Sequence, residues 1–441
     1  MKTIRTGGSP SRCSFLAAIL WLLPSCGGEP SSAHATTGGG GASSSAASGQ
    51  SGSGSGSGLP ACSGESGHLA FQRALDLPGR GMALAWSPDG QRIATGGHFK
   101  DAVTGLRYDT KIYSTLTGQH EKSFDCHYYW VIGLAWANNP FLGEVIATGG
   151  YDHAVKLWNA SGKGSVTCNP GQFITAEGAL QRISEIDGAT TALAFSPDGR
   201  YLAGANRDGT IRIWQMEPGP HQFLVVGLWH DDSAGNFLSL SWSPDGKRIA
   251  TGDRLNGRVA VWAFDPSSDA WDDAAIDAYA KLGFAQTASW FTQNPTLVTQ
   301  TPLWSEQGHD RVWNVRFSPD GGRVAAASSD GALSIFDAAT GAATLKLAAP
   351  SKTPLHGLDW SPSGRYLAAG GADHNVYVFD AGTGALYDTL TGHADVVTAT
   401  AFSPDGCSLA TTAGGPRVST INEIHDQVTG PDQTVRLWSY P

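Results

Sequence analysis

The sequence is dominated by a short phrase, an aromatic residue followed by Ser-Pro-Asp-Gly, that recurs along its 441 residues. A variant, Ser-Pro-Ser-Gly, follows Trp360, and a copy at Trp136 keeps the preceding Gly-Leu-Ala but replaces the turn with Asn138-Asn139-Pro140. Successive anchors are 50, 59, 47, 75, 43 and 42 residues apart. The two shortest spacings match a unit of about 40 to 45 residues with four strands, and the longer ones predict insertions. The five unaltered copies begin at Trp86, Phe195, Trp242, Phe317 and Phe402.

Each repeat has the same internal order of strands and turns. Alternating apolar residues, as in 191–195, predict a strand that leads into Ser-Pro-Asp-Gly, where Pro fixes φ and Asp-Gly supplies the turn. A second strand follows, and then a tight turn with Asp or Asn six residues before an aromatic residue, as in Asp152 and Trp158. Four antiparallel strands in each of seven units predict an all-β fold, a seven-bladed β-propeller.

These repeats resemble the WD-repeat (Trp-Asp) family of β-propellers over residues 67–441. Blade two matches best, and blade seven has residues of the same types at the corresponding places. The resemblance implies that these residues form hydrogen-bonded structural tetrads. The two sets are His127, Thr148, Asp152 and Trp158 in blade two, and His393, Thr411, Asp432 and Trp438 in blade seven.

The other blades depart from the family pattern. Blade three has Gly204 where Thr is expected, and blades five and six end in Phe336 and Phe379, which lack an indole donor. We expect those blades to depend more on apolar packing. A His, a Thr and an Asp together also suggest a hydrolase triad, but the spacing to Trp favours the structural role.

The two ends of the repeat region are predicted to meet. The last repeat ends with a strand at 434–438, so blade seven has only three strands of its own. The segment 68–75, ahead of the first anchor, is a strand without a blade. We predict that this N-terminal strand completes blade seven and closes the ring, because closure removes an exposed strand edge.

The first 25 residues are typical of a signal peptide, with basic residues before the nine-residue apolar run 15–23. That run is too short to span a bilayer, which needs about 20 residues. The sequence Leu-Pro-Ser-Cys at 23–26 resembles a bacterial lipoprotein cleavage box, which implies a lipoprotein-type signal at 1–25 and lipidation of Cys26. Because Pro24 is uncommon there, simple cleavage without a lipid is the alternative.

Residues 26–66 are interpreted as the lipidated cysteine and a flexible Gly/Ser-rich tether. The part at 31–58 has no charge and no large apolar side chain, so it cannot repay the entropy of folding. A flexible coil of the 40 residues at 27–66 has a root-mean-square reach of about 35 Å. The alternative is a low-complexity segment with no role beyond spacing.

Four of the six cysteines remain after Cys13 in the signal and Cys26 are set aside. An even number in an exported chain predicts disulfides, and four cysteines allow three pairings. The hypothesis is that Cys62 pairs with Cys407, because the closing strand would start near the turn that holds Cys407, and that Cys126 pairs with Cys168 around blade two. A metal site is not predicted, since no Cys-x-x-Cys or close Cys/His spacing exists, and no cofactor is expected.

The charge of the chain bears on its partners. The formal net charge is −10, and the sequence contains no cluster of Lys and Arg. Because binding to phosphates requires a basic patch, we predict no nucleic-acid partner.

Propellers bind partners on the face formed by the loops between strands two and three and between strands four and one. Blade one has an extended loop near 98–108, blade seven a longer one near 414–431, and the loop at 127–130 enters blade two. These neighbouring loops predict one partner-binding sector, because exposed aromatic residues and Arg are common anchors of interfaces. The alternative is that the aromatic residues pack inside their own loops. The hypothetical anchors are Phe99, Arg107, Tyr108, Tyr129, Trp130, Glu423 and His425.

A third insertion, near 265–296, separates blades four and five. Within it, residues 272–281 begin with acids, have Lys near the end and are followed by Gly283, which are helix boundary signals. We expect a short helix beside the opposite face, as a cover or a second contact site.

Two functions remain open. The first is a non-enzymatic scaffold that is tethered by lipid to a bacterial envelope membrane, preferably the outer membrane or periplasm, and that holds an envelope protein or peptide. The family resemblance implies scaffolding without catalysis, so no catalytic residue is predicted. The alternative is a propeller enzyme or small-ligand binder that uses the central channel, with His98, Asp101, Glu423 and His425 as candidates. No phosphate loop, nucleophile elbow or metal motif accompanies them.

Overall fold

The computed structural model describes residues 67–101, 105–161, 189–218, 236–265, 301–414 and 432–440, and the strands at 47–48, 166–167, 179–185 and 225–230. The predicted signal peptide, Cys26 and all of the tether except 47–48 lie outside these residues. The same holds for the predicted helix at 272–281 and for the blade-seven loop at 415–431. Those assignments therefore stay predictions.

Every regular element of the described residues is a β-strand, and the strands form seven sheets. Blade one consists of β3 (Gly79–Trp86), β4 (Arg92–Asp101), β5 (Gly105–Ser114) and β6 (His120–His127). Blade two consists of β7 (Val131–Asn139), β8 (Gly143–Gly150), β9 (Ala154–Asn159) and β11 (Ala179–Glu185). Blade three consists of β12 (Thr190–Phe195), β13 (Tyr201–Asn206), β14 (Thr210–Gln215) and β15 (Val225–His230).

The remaining blades repeat this order. Blade four consists of β16 (Phe237–Trp242), β17 (Arg248–Asp253), β18 (Val259–Ala263) and β19 (Trp304–Glu306). Blade five consists of β20 (Val312–Phe317), β21 (Arg323–Ser328), β22 (Ala332–Asp337) and β23 (Ala343–Ala348). Blade six consists of β24 (Leu355–Trp360), β25 (Tyr366–Gly371), β26 (Val376–Asp380) and β27 (Leu386–Leu390). Blade seven consists of β28 (Val397–Phe402), β29 (Ser408–Ala413), β30 (Thr434–Ser439) and β2 (Ala70–Asp76).

Two short strands extend two of the blades, one beside the first strand of blade two and the other beside the fourth strand of blade one. Strand β1 (Ala47–Ser48) pairs antiparallel with β7, and β10 (Val166–Thr167) pairs parallel with β6. The first strands of neighbouring blades contact one another all round the ring, so β3, β7 and their equivalents lie innermost. The predicted seven-bladed propeller with four antiparallel strands per blade is confirmed.

The N-terminal strand closes the ring as predicted. Strand β2 pairs antiparallel with β30, with Ala70 opposite Ser439 and Asp76 opposite Thr434. The amide of Tyr440 donates to the carbonyl of Cys407, in the Ser-Pro-Asp-Gly turn of blade seven. Strand β2 therefore begins at the face of the ring that carries these turns, and its end lies at the other face.

The Ser-Pro-Asp-Gly turn is built by its own side chains. In blade three the Ser196 hydroxyl donates to the Asp198 carboxylate at 2.5 Å and accepts from the amide of Tyr201 at 3.0 Å. Gly199 has a φ of 71°, in the left-handed region where other residues are strained. Blade two reaches the same shape differently, because the Asn139 side chain accepts from the amides of two following residues.

The aromatic anchors lie at the seams between blades. The indole of Trp242 in blade four donates to the carbonyl of Ala194 in blade three at 3.0 Å, and Trp86 in blade one donates to Ala401 in blade seven at 2.9 Å. Apolar clusters likewise combine residues of neighbouring blades, for example those of blades three and four. A single blade therefore cannot bury its apolar faces without its neighbours.

The segment 98–108 is a β-hairpin, so the prediction of an extended loop there was wrong. Strands β4 and β5 continue past the blade, with Phe99 opposite Arg107 and Asp101 opposite Gly105. Continued pairing satisfies backbone groups that a loop of this length would leave to water. The insertion thus projects as a hairpin from the face opposite the Ser-Pro-Asp-Gly turns.

Candidate partner-binding face

The blade-two tetrad is assembled as the family resemblance implies. The Trp158 indole donates to the Thr148 hydroxyl at 2.8 Å, and that hydroxyl lies 2.7 Å from His127 Nε2. His127 Nδ1 lies 2.9 Å from the Asp152 carboxylate. Burial alone would raise the pKa of Asp152, but the charge and hydrogen bond of His127 hold that pKa below its usual value.

Blade seven contains the same arrangement. His393 Nδ1 lies 2.7 Å from Asp432, its Nε2 lies 2.8 Å from Thr411, and the Trp438 indole donates to Thr411 at 2.9 Å. Burial opposes ionisation, yet the hydrogen bond from His393 lowers the pKa of Asp432 to about 2. Because both threonines are buried and their hydroxyls are engaged by Trp and His, these groups hold blades together and are not placed to attack a substrate.

The blades that depart from the family tetrad are stabilised by other contacts. In blade three a Cβ at Gly204 would lie 2.9 Å from the Trp214 ring, so Thr cannot fit there, and the buried Trp214 indole has no hydrogen-bond acceptor among the described residues. Blade four keeps half a tetrad, since Trp262 donates to Thr251 at 2.9 Å. Phe336 and Phe379 are buried in apolar clusters, in line with the expected packing.

One face of the ring has a repeated backbone link. In blades two to seven, the amide of the residue after the second strand donates to the carbonyl of the residue immediately before the first strand, at 2.9–3.2 Å. In blade one, pairing of β3 with β4 sets the corresponding residues opposite each other. We call these seven pairs the rim, since they surround the central opening. The pairs are Arg80/His98, Trp130/Tyr151, Ala189/Arg207, Asn236/Arg254, Arg311/Ser329, Pro354/Ala372 and Val396/Gly414.

The rim differs in chemistry from one side to the other. Blades one to five contribute aromatic, imidazole or guanidinium groups to it, whereas blades six and seven contribute only small or apolar residues. The fold does not require rim residues at equivalent positions of the blades to differ in their chemistry. The polar and aromatic side is therefore the candidate partner-binding face.

Four rings stack on this side, and we call them the aromatic stack: Trp130, His98, Tyr108 and Tyr129. The centroid of the His98 ring lies 5.4 Å from that of Trp130 and 4.8 Å from that of Tyr108, which lies 5.7 Å from Tyr129. Burial and then the charge of Arg80 lower the pKa of His98 to about 4, so this imidazole is neutral at pH 7. Both of its ring nitrogens are buried without a hydrogen-bond partner in the part of the chain that the structure describes.

The outer end of the stack faces solvent. Tyr129 is 38% exposed and the adjacent Tyr128 is 51% exposed. Phe99 and Trp130 are only 1% and 5% exposed, so they cannot act as the exposed anchors that we expected, and they pack in the interior as the alternative stated. Tyr108 is half-buried within the stack. The side chains of Arg107, Asp101, Glu423 and His425 lie outside the described residues, and their roles stay predictions.

Three rim residues on blades three, four and five form an arginine cluster: Arg207, Arg254 and Arg311. Arg207 donates to the Tyr151 hydroxyl at 3.1 Å and to the Asn236 side chain at 2.9 Å. The Arg311 guanidinium lies 5.0 Å from the centroid of the Trp313 ring. Burial and then the charges of Arg207 and Arg311 lower the pKa of Arg254, so the three cations act on one another.

Sequence reasoning missed this cluster and concluded that no basic group of residues exists. The three arginines are 47 and 57 residues apart in the chain, so no Lys/Arg run marks them. Only closure of the ring brings their blades side by side. Alignment of the residue after each second strand would have found two of them, Arg207 and Arg254.

Other predicted features can be placed only in part. Cys126 is buried in β6 and Cys407 lies in the turn beside the start of β2, whereas Cys62 and Cys168 lie outside the described residues, so the pairing stays a prediction. Within the described ranges, no group of three His, Cys, Asp or Glu is placed to hold a metal ion. In the same ranges no helix is long and apolar enough to cross a membrane.

A family model for the WD domain, G-beta repeat, matches residues 118–159, 181–215, 228–263, 300–337, 344–380 and 384–439, which is more than half of the chain. The chain belongs to the WD-repeat family. Each match starts within or just before the fourth strand of one blade and ends with the third strand of the next. This offset of the WD repeat from the blade explains why a strand from the N-terminal side completes blade seven.

Curated relatives match only part of their own length. Protein HIR1 of Mycosarcoma maydis is 27% identical over 285 residues, which are 58% of this chain and 25% of that protein. WD repeat-containing protein 1 of Gallus gallus is 30% identical over 33% of this chain and 26% of that protein. Coronin-7 of Rattus norvegicus is 35% identical over 31% of this chain and 13% of that protein. The chain thus spans about a quarter or less of these relatives.

Proposed function

We propose that this WD-repeat propeller is a non-enzymatic scaffold that binds a protein or peptide on the polar and aromatic side of its rim. The observation that carries the proposal is that hydrogen bonds through Tyr151 link the aromatic stack to the arginine cluster. Tyr151, linked through its amide to Trp130 of the aromatic stack, accepts a hydrogen bond from Arg207 of the arginine cluster. Tyr and Arg side chains are the residue types that most often dominate binding energy at protein interfaces.

The proposal places the protein in the bacterial envelope. Its support is the sequence: the signal-like segment 1–25, a cysteine at position 26 that suits lipidation, and a Gly/Ser-rich composition at 31–58 that favours a flexible tether. We therefore propose a lipid-anchored protein, with the outer membrane or periplasm as its site and an envelope protein or peptide as its partner. Simple export without a lipid is the alternative outcome.

The alternative of a channel enzyme receives less support. Its candidate base His98 lies buried between two rings, and its pKa is lowered to about 4 by burial and Arg80. An imidazole in this position packs the blade-one hairpin against blade two. Asp101, Glu423 and His425 are the remaining candidates for that alternative.

The binding proposal is tested by crosslinking in the native cells followed by mass spectrometry. Tyr128→Ala and Tyr129→Ala are the variants, since both side chains are exposed. Phe141→Ala is the matched control, because Phe141 is 38% exposed on the opposite face, in the turn between β7 and β8. We expect one abundant partner with the wild type, much less with the Tyr variants, and no change with the control. Equal capture by all variants, or no partner at all, would contradict the proposal.

The anchor is tested separately with Cys26→Ala. Lipid labelling and a membrane pellet should both be lost in this variant, while the wild type keeps both. A wild-type protein that carries no lipid and stays in the soluble periplasmic fraction would support simple cleavage instead.

A further inference from the structure

The arginine cluster concentrates positive charge in an acidic protein. The chain has a formal net charge of −10, yet three guanidiniums from three neighbouring blades meet here, and burial and then the charges of Arg207 and Arg311 lower the pKa of Arg254. Bringing like charges together costs electrostatic free energy, which falls when a counter-charge arrives. The rim therefore has a local preference for an anion that the whole molecule lacks.

Two of the three arginines have no carboxylate partner among the described residues. In the part of the chain that the structure describes, Arg207 and Arg311 form no ion pair with a carboxylate. Arg207 instead donates to two neutral side chains, Tyr151 and Asn236, through its Nε and Nη1 atoms. A guanidinium has five N–H groups, so most of those on Arg207 remain available. Arg311 has a buried Nε that meets no acceptor.

The same contacts hold the guanidiniums in place. The centroid of the Tyr151 ring lies 5.4 Å from the Arg207 guanidinium. The Arg311 guanidinium lies over the Trp313 ring, whose indole donates to the Ser329 hydroxyl at 2.7 Å. An arginine that is already fixed loses less side-chain entropy when it binds a ligand. The cluster is thus preorganised for planar, two-point contact with carboxylates.

We propose that the arginine cluster recognises an acidic segment of the protein partner, whose Asp or Glu carboxylates bind Arg207, Arg254 and Arg311. This inference rests on the proposed function, because it names the chemistry of the partner that the rim would hold. A protein segment is favoured over a nucleic acid, since three cations are fewer than the roughly 6 to 10 phosphate contacts typical of nucleic-acid binders. The exposed Tyr128 and Tyr129 on neighbouring blades also suit peptide side chains.

The probe is a capped, fluorescently labelled octaglutamate peptide, titrated into the mature protein at low ionic strength, with octaglutamine as the neutral comparison. We expect saturable binding of octaglutamate only, weakened strongly when salt rises to about 0.2 M, because exposed charges are screened. Arg207→Gln, Arg254→Gln and Arg311→Gln should each weaken binding about tenfold, the effect of one lost charge-assisted contact.

Arg200→Gln is the matched control, because Arg200 belongs to the same blade as Arg207 but lies exposed at the opposite face, near Asp198 and Glu217. It removes the same charge and should leave binding unchanged. Thermal unfolding of each variant checks that a loss of binding does not come from a loss of fold. Equal weakening by Arg200→Gln, or no binding of octaglutamate to the folded wild type, overturns the inference.

A competition experiment distinguishes a carboxylate ligand from a phosphate ligand. Displacement of octaglutamate by inorganic phosphate or by a thymidine oligonucleotide at lower concentration than by unlabelled octaglutamate overturns the inference in favour of a phosphate ligand. Crosslinking in cells keeps the two proposals apart. If the triple Arg→Gln variant still captures the partner that the Tyr variants lose, the scaffold stands and the acidic segment does not.

Discussion

The hydroxyl of Thr148 connects the blade-two tetrad. Trp158 donates to the Thr148 hydroxyl, which is hydrogen-bonded to His127 Nε2, and His127 donates from Nδ1 to Asp152. All four groups are buried or nearly so, and each depends on the next to satisfy a polar atom away from water. The role of each residue was predictable from the resemblance to the WD-repeat family, since these residue types stand at the positions of that family's tetrad.

Replacing Thr148 with Val should therefore lower the free energy of unfolding by about 1–3 kcal/mol, because buried polar groups lose their partners. Chemical denaturation measures the change. Thr389→Val is the control, since Thr389 is exposed on β27 and its hydroxyl makes no hydrogen bond among the described residues. Equal stability of both variants would show that the tetrad contributes nothing measurable.

Asp253 should make the free energy of unfolding depend on pH. Burial raises the pKa of this carboxyl to about 6, although its Oδ1 accepts from the amides of Leu255 and Asn256. The folded state thus favours the protonated acid, and this stabilisation is full below about pH 3.9 and lost as pH rises through 6. Asp253→Asn should gain about 1–3 kcal/mol relative to the wild type between pH 4 and 7.

Denaturation of the wild type and Asp253→Asn at several pH values measures that gain. Glu217→Gln is the control for changes in net charge, because Glu217 is only half-buried and lies 3.8 Å from Arg200 at the surface. A difference between wild type and Asp253→Asn that stays constant across this pH window would mean that the carboxyl titrates no differently in the folded chain.

At the scale of elements, the strand β2 and the blade-one hairpin show what a sequence pattern can and cannot predict. Strand β2 was predicted because blade seven lacked a fourth strand and an unassigned strand preceded the first repeat. The hairpin at 98–108 has no counterpart in the other repeats, so the repeat pattern could not predict it. Its pairing depends on contacts along the two strands. The sequence placed Phe99 and Trp130 in predicted loops, so their burial could not be predicted without knowledge of this pairing.

Leu75 tests the energetic importance of closure. This side chain of β2 is buried against Trp86 of blade one and Leu437 of blade seven. Leu75→Ala should destabilise the protein by about 2–5 kcal/mol, because it leaves a cavity at the seam. Leu386→Ala, on the exposed side of β27, should have little effect. Denaturation curves for the two variants provide the comparison, and similar midpoints would mean that the seam does not depend on β2.

For the whole molecule, closure of the ring creates sites that no segment contains. The repeat predicted seven blades, yet the arginine cluster was invisible in the sequence because its members come from three blades. The aromatic stack likewise joins blade one to blade two. Local spacing encodes turns, strands and tetrads, whereas the chemistry of the rim depends on which blades become neighbours.

The cysteines provide a prediction at this same scale. The start of β2 lies beside the blade-seven turn that holds Cys407, and Cys62 precedes β2 by eight residues. If Cys62 and Cys407 are joined, the ring closure becomes covalent. Peptide mapping of the mature protein without reductant should find Cys62 linked to Cys407 and Cys126 to Cys168. Four free thiols, or another pairing, would contradict this.

The direction of β2 has a consequence for orientation. Strand β2 begins at the Ser-Pro-Asp-Gly face and at the outer margin of blade seven, while the rim occupies the other face. The start of β2 is therefore separated from the arginine cluster and from the exposed Tyr128 and Tyr129 by the thickness of the ring.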